Sequence, residues 1–154
     1  TGYYDTVAST TSLNIANSSS LGYSLRVRNP SNEITISAPT TNFKNIILKY
    51  ATAISSAKYA PRTQSYSYSI DNGASWTTSG LARTVDTFAI DANDSTRFVD
   101  PNYVLKTFDL SNISSINNNA GFKFKITFGA SNTPTSPTKG NTRYDNITIE
   151  GNRQ

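Results

Sequence analysis

The sequence predicts an all-β fold, an antiparallel two-sheet β-sandwich, on three observations. Apolar residues recur at every second position over short runs, the period of a half-buried strand. The runs are separated by turns rich in Asn, Gly and Pro at close, regular spacing. The composition also disfavours helix: the 154 residues include 21 Ser, 21 Thr and 17 Asn against two Glu and two Gln. Ser, Thr and Asn offer the backbone hydrogen bonds that compete with helical ones. The length suits a single domain spanning residues 1–154, one able to bury about two thirds of the surface its unfolded chain exposes.

Taken in order, Gly22–Asn29 places Tyr23, Leu25 and Val27 on one face and Ser24, Arg26 and Arg28 on the other. A turn at Asn29–Asn32 leads into Glu33–Ala38, followed by strands at Asn45–Ile54 and Gln64–Ile70. Asp71-Asn72-Gly73 is a hairpin signal, because Asn and Gly tolerate positive φ. Strands then read at Ser75–Thr78, Thr84–Ile90 and Tyr103–Leu110, and Ser111–Ile116 reads as one helical turn capped by Ser111. In Phe122–Phe128, Phe122, Phe124, Ile126 and Phe128 form the inward face, with Lys123, Lys125 and Thr127 outward. The stretch 129–141 has two prolines and no apolar period, hence a loop, and Tyr144–Gly151 closes the chain as a strand. About eight short strands with no long amphipathic segment make a jelly roll the leading form of the sandwich.

Several functions are excluded by composition. Without His or Cys the chain has no imidazole base, thiol nucleophile, haem ligand or Cys/His zinc site. No nucleophile elbow of GxSxG type occurs. The ten carboxylates fall mostly in turns and at strand ends, where Asp bonds backbone amides; a non-enzyme is expected. The net charge of +4 and a pI near 9.4 favour an anionic partner. They fall short of the dense Lys/Arg loading of a nucleic-acid binder, so nucleic acid is not an expected partner. No apolar run reaches the 18 residues of a membrane span, and no membrane insertion is expected. The absence of Met fits a processed piece of a longer chain, and freedom from disulfides is common among bacterial secreted domains.

The succession GYSLRVRNPSNEITISAP, NFKNIILKYAT, SYSYSIDNGASW, KTFDLSNISSINNNAGFKFKITF and NTRYDNITIEG, over residues 21–151, resembles jelly-roll accessory modules of secreted multidomain proteins of Bacteroidota and related bacteria. These are similar to carbohydrate-binding modules. The most specific element is Arg143-Tyr144-Asp145-Asn146-Ile147-Thr148 behind Gly140-Asn141. The resemblance implies an extracellular or cell-surface location, covalently linked catalytic or anchoring domains in the full-length protein, and a polysaccharide partner. It also implies a structural calcium (Ca2+) held by Asp145 with backbone carbonyls and an N-terminal acid, Asp5. A structural spacer or adhesion module of a large surface protein is the alternative. A second calcium candidate, Asp91-x-Asn93-Asp94-Ser95, begins like an EF-hand loop but has Thr96 at the sixth position and Asn102 at the twelfth, and so fails as one.

Aromatic and basic side chains are the ligand candidates, since sugar rings stack C–H faces on Trp and Tyr while carboxylates and sulfates need cations. Trp76 follows a tight turn and reads either as a stacking platform or as a core aromatic. Lys58, Tyr59 and Arg62 share the polar stretch Ala57–Gln64. Arg26, Arg28, Lys49, Lys123 and Lys125 point outward from three strands. If those strands are neighbours they make a cationic stripe across one sheet, suited to a sulfated or uronic-acid polysaccharide; otherwise they are solvated strand faces that discourage edge aggregation.

Overall fold

The structure, a computed structural model, describes residues 3–7, 10–15, 22–28, 32–99, 102–129 and 140–154, without the side chains of residues 3–5 and 7. Its strands are β1 (Tyr3–Val7), β2 (Ser24–Arg28), β3 (Glu33–Ser37), β4 (Phe43–Ser55), β5 (Thr63–Ser69), β6 (Val85–Thr87), β7 (Val104–Asp109), β8 (Lys123–Phe128) and β9 (Asn141–Arg153). Four antiparallel pairs nest inside one another: β2 with β9, β3 with β8, β4 with β7, and β5 with β6. Such nesting is one long hairpin folded over on itself, and it sends successive pairs to opposite layers. The result is a five-stranded sheet, β1-β2-β9-β4-β7, against a four-stranded one, β3-β8-β5-β6. This is the jelly roll that the period-two pattern predicts.

The inward faces meet in an aromatic core. Phe122, Phe124 and Ile126 are fully buried and Phe128 packs at the margin, as their alternation with lysines requires. Tyr66 and Phe108 meet edge-on with centroids 4.6 Å apart, Phe108 and Phe124 lie 4.8 Å apart, and Tyr50 and Tyr144 5.5 Å apart. A smaller cluster of Ile54, Ala57, Ala60 and Phe98, with Phe88 and Ile90 against it, fills the end where β6 is short. The edge between β6 and β7 is closed by polar groups. Lys106 donates to Asp86 at 2.7 Å, the Tyr66 hydroxyl donates to the same oxygen at 2.8 Å, and Arg83 stands 3.7 Å away.

The structure corrects four details. Tyr23 is not a core residue: it precedes β2 and is 69% exposed, while Leu25 and Val27 face inward. Ser75–Thr78 is no strand, since Thr77 forms an isolated bridge to Tyr68. Ser111 caps nothing; a 3₁₀ turn begins three residues later, at Ser114–Ile116, and Asp109 accepts the Ser111 amide instead. The stretch Thr84–Ile90 is strand only over Val85–Thr87. Residues 130–139 of the expected loop lie outside the described residues.

Candidate ligand-binding surface

The outer face of the four-stranded sheet is a bed of small polar side chains in rows. Register aligns Glu33, Thr127 and Ser65 in one row, Thr35, Lys125 and Ser67 in the next, and Ser37, Lys123 and Ser69 in a third. The same parity sends Ile34, Ile36, Tyr66, Tyr68, Phe124 and Ile126 to the core. Side chains alternate faces along a strand, so the serines of SYSYS line the surface because its tyrosines fill the interior.

A built turn places the chain's single Trp on this bed. Asn72 and Gly73 take φ of 61° and 94°, as the Asp-Asn-Gly signal predicts. The Asp71 carboxylate accepts from the Ser75 amide at 2.9 Å and from the hydroxyls of Ser69 and Ser75. These bonds, the Ser75 hydroxyl first, hold its pKa down at about 2. The Asn72 amide donates to the Gly121 carbonyl at 3.0 Å, and Tyr68 and Thr77 exchange backbone bonds of 2.9 Å. Trp76, just before that bridge, covers Lys125, whose ammonium lies 3.9 Å from the ring centroid. Gly73 nests against the indole and Lys123: a Cβ there would stand 3.5 Å from Trp76 Cζ2 and 3.8 Å from Lys123 Cδ. Lys125 also has Glu33 at 3.8 Å. Trp76 is therefore a surface aromatic, outside both apolar clusters.

The other basic candidates lie elsewhere. Arg26 and Arg28 on β2 and Lys49 on β4 belong to the five-stranded sheet, whereas Lys123 and Lys125 on β8 belong to the four-stranded one. The single cationic stripe does not form, because the nested pairing puts β8 in the opposite layer from β2 and β4. Lys49 is tied to Glu150 by bonds of 2.8 and 3.0 Å. Lys58 and Tyr59 sit in a tight turn in which the amides of Tyr59 and Ala60 both donate to the Ser56 carbonyl. Their flanking Ala57 and Ala60 are buried against Ile54 and Phe98, so this stretch is anchored by apolar contact that its polar look conceals. The Lys58 ammonium stands 5.4 Å from the Tyr59 centroid. Arg62 is five residues from Ser67, the partner of Lys125, about 17 Å along an extended strand; the structure does not join this cluster to Trp76.

The Asp145 carboxylate is a hydrogen-bond anchor for the segment 10–15. One carboxylate oxygen accepts from the Thr10 hydroxyl at 2.5 Å and the Thr11 amide at 3.0 Å, the other from the Asn146 amide at 2.9 Å. The carbonyls nearby each accept a side-chain amide: Asn146 donates to Thr11 and Leu13, and Asn14 donates to the Asn146 carbonyl. The side chain of Asp5 is outside the described residues; its backbone pairs with Arg26. Asp91 and Asp94 each cap a local turn, accepting from the amides of Asn93 and Thr96. No cluster of three carboxylates occurs among the described residues.

The hydroxyl rows of Thr35, Ser65, Ser67 and Thr127 were not singled out in the sequence. Their signal was present as the polar half of each alternation, but it names a face only once strand order is known.

The chain matches no protein-family model and no curated protein sequence. Among solved structures it is similar to the CBM22-1 xylan-binding domain of Paenibacillus barcinonensis Xyn10C, at 10% identity over 99% of this chain and 83% of that one, with a TM-score of 0.49. The N-terminal cellulose-binding domain of Cellulomonas fimi β-1,4-glucanase C is similar at 11% identity, over 87% and 82%, with a TM-score of 0.45. The K1 cleaved adhesin domain of the Lys-gingipain of Porphyromonas gingivalis W83 is similar at 13% identity, over 97% and 73%, with a TM-score of 0.42. Likeness this remote transfers no ligand.

Proposed function

We propose that this jelly-roll domain is a non-catalytic carbohydrate-binding module of an extracellular or cell-surface protein. On this reading it holds a polysaccharide on the outer face of the four-stranded sheet, prefers an anionic one, and targets an attached enzyme. One observation carries it: Trp76 is held over Lys125 on a flat bed of Ser and Thr hydroxyls, although burying the indole would stabilise the fold more. An indole offers the C–H face of a sugar ring a stacking partner. The hydroxyl rows supply donors and acceptors for sugar hydroxyls, and the ammoniums of Lys123 and Lys125 supply attraction for carboxylate or sulfate. Adjacent strands are about 4.8 Å apart, comparable to the advance per sugar of an extended 1,4-linked chain, so a chain crossing the strands meets one row position per residue.

The test is affinity electrophoresis through acidic and neutral polysaccharides. Wild type is expected to be retarded most by a uronic-acid or sulfated polymer, and less at high salt, because exposed ion contacts are screened over roughly 8–10 Å. The double variant Lys123→Ser with Lys125→Ser should lose the acidic preference, and a thermal melt reads the separate cost of removing Lys125, whose side chain is 17% exposed beneath Trp76. Equal retardation by neutral glucan or xylan would overturn the anionic preference. Retardation by no glycan at all would overturn the binding reading in favour of a spacer.

A further inference from the structure

The segment 88–99 is more chain than the sandwich needs to connect β6 to β7. It is a hairpin in miniature: Ile90 bridges Phe98, and the Val99 amide donates to the Ala89 carbonyl at 3.0 Å. Phe98 buries against Ile54, and Phe88 meets Phe98 edge-on with centroids 6.2 Å apart. Between this segment and strands β4 and β7 lies a cavity of about 250 Å³. The described residues that line it are mostly apolar, among them Ile54, Phe88, Phe98 and Val104. Val99, 64% exposed, stands at its mouth, and the exposed Thr87 and Asn102 belong to its rim.

Two polar side chains reach further in. Thr52 stands on β4 between Tyr50 and Ile54, at the parity that faces the interior, and opposite Val104. It is fully buried, and its hydroxyl has no hydrogen-bond partner. A hydroxyl kept from water without a bond is costly, and a valine of the same shape would avoid that cost. Lys106, opposite Tyr50 on β7, turns its ammonium to Asp86 at 2.7 Å and stands 5.4 Å from the Phe88 centroid. That ion pair leaves the wall without a net charge to draw an anion.

These features define an occupant. A dry apolar cavity of about 150 Å³ accepts benzene, so this one has room for a ring and a substituent. The aromatic walls suit a flat ring, and the Thr52 hydroxyl can bond one oxygen. A pyranose would leave most of its hydroxyls against apolar side chains, at the full cost of their desolvation. We propose that the cavity binds a small aromatic ring bearing one hydroxyl, a phenol, with the ring against Phe88, Phe98 and Val104 and its oxygen on Thr52. The site lies at the flank between the two layers and does not depend on the Trp76 face.

The experiment follows the methyl resonances of Ile54, Val99 and Val104 by NMR during titration with phenol, toluene and glucose. Phenol should move them saturably, and glucose should leave them in place. The isosteric Thr52→Val should weaken phenol several-fold to about tenfold, the scale of one hydrogen bond, while binding toluene at least as well as wild type does. Its melting temperature should equal or exceed that of wild type, because the hydroxyl it removes is unpaired. Trp76→Ala should leave the phenol titration unchanged, which separates this site from the polysaccharide face. Five results would overturn the proposal: no saturable shift with phenol, glucose binding as tightly as phenol, Thr52→Val binding phenol like wild type, a lowered melting temperature in Thr52→Val, or loss of the phenol titration in Trp76→Ala.

Discussion

Trp76 and Asp86 show how single side chains divide between ligand and fold. Trp76 rests on Lys125 and touches neither apolar cluster. Trp76→Ala is accordingly expected to weaken polysaccharide binding several-fold to about tenfold, the scale of one aromatic stacking contact, with a melting temperature near that of wild type. Titration on the polysaccharide together with a thermal melt checks both halves, and a large drop in melting temperature would return Trp76 to the core. Asp86 works for the fold. Burial pushes its pKa up, but the Lys106 ammonium and the Tyr66 hydroxyl outweigh that and leave it below the ordinary value. Asp71, Asp94 and Asp109 are lowered by hydrogen bonds from Ser75, Thr96 and Ser111. Folded-state pKa values below the unfolded ones contribute stability present above about pH 4 and lost as pH falls through the folded values. Melting temperature should be level at neutral pH and decline progressively from about pH 4 towards pH 2. A curve that stays level to pH 2 would contradict these hydrogen-bond assignments.

At the scale of elements, β8 is the best-specified strand. Its apolar residues alternate strictly with polar ones, and Phe124 is fully buried against Tyr66 and Phe108. Phe124→Ala should cost about 3–5 kcal/mol in chemical denaturation; a cost under 1 kcal/mol would contradict the register. The segment 10–15 makes a different kind of contact, crossing β9 through Thr10, Thr11, Asn14 and Asn146. Asp145 there serves as a hydrogen-bond anchor, so EDTA should leave the melting temperature unchanged, and Asp145→Ala should lower it equally with and without calcium. A chelator-dependent melt would restore the ion implied by the resemblance. Alternation and turn chemistry are legible at this scale: β2, β3, β6, β7 and β8 fall inside their predicted spans, β5 begins one residue before its own, and Asn72-Gly73 turns as its residue types require. β1 was not read from YYDTV, and β4 and β9 extend past their predicted ends. There Asn45 and Asn146, with φ of 54° and 48°, and two register shifts interrupt the period that sequence reading depends on.

At the scale of the whole molecule, function turns on which strands share a face, and alternation along one strand is silent about that. It shows that Lys125 and Lys49 both point outward; only the nested pairing of β2 through β9 shows that they point in opposite directions. The Trp76 surface was legible as residues and not as a site, because Ser67 with Trp76, Lys125 and Thr35 come from three separate stretches of chain.

Because the chain has one Trp, its fluorescence reports on the central claim directly. Titrating the domain with an acidic polysaccharide while following Trp76 emission and its quenching by acrylamide should give a saturable change in emission and protection from the quencher, with the midpoint measured by affinity electrophoresis. Binding seen by electrophoresis while emission and quenching stay unchanged would contradict the account and move the polysaccharide away from the four-stranded sheet.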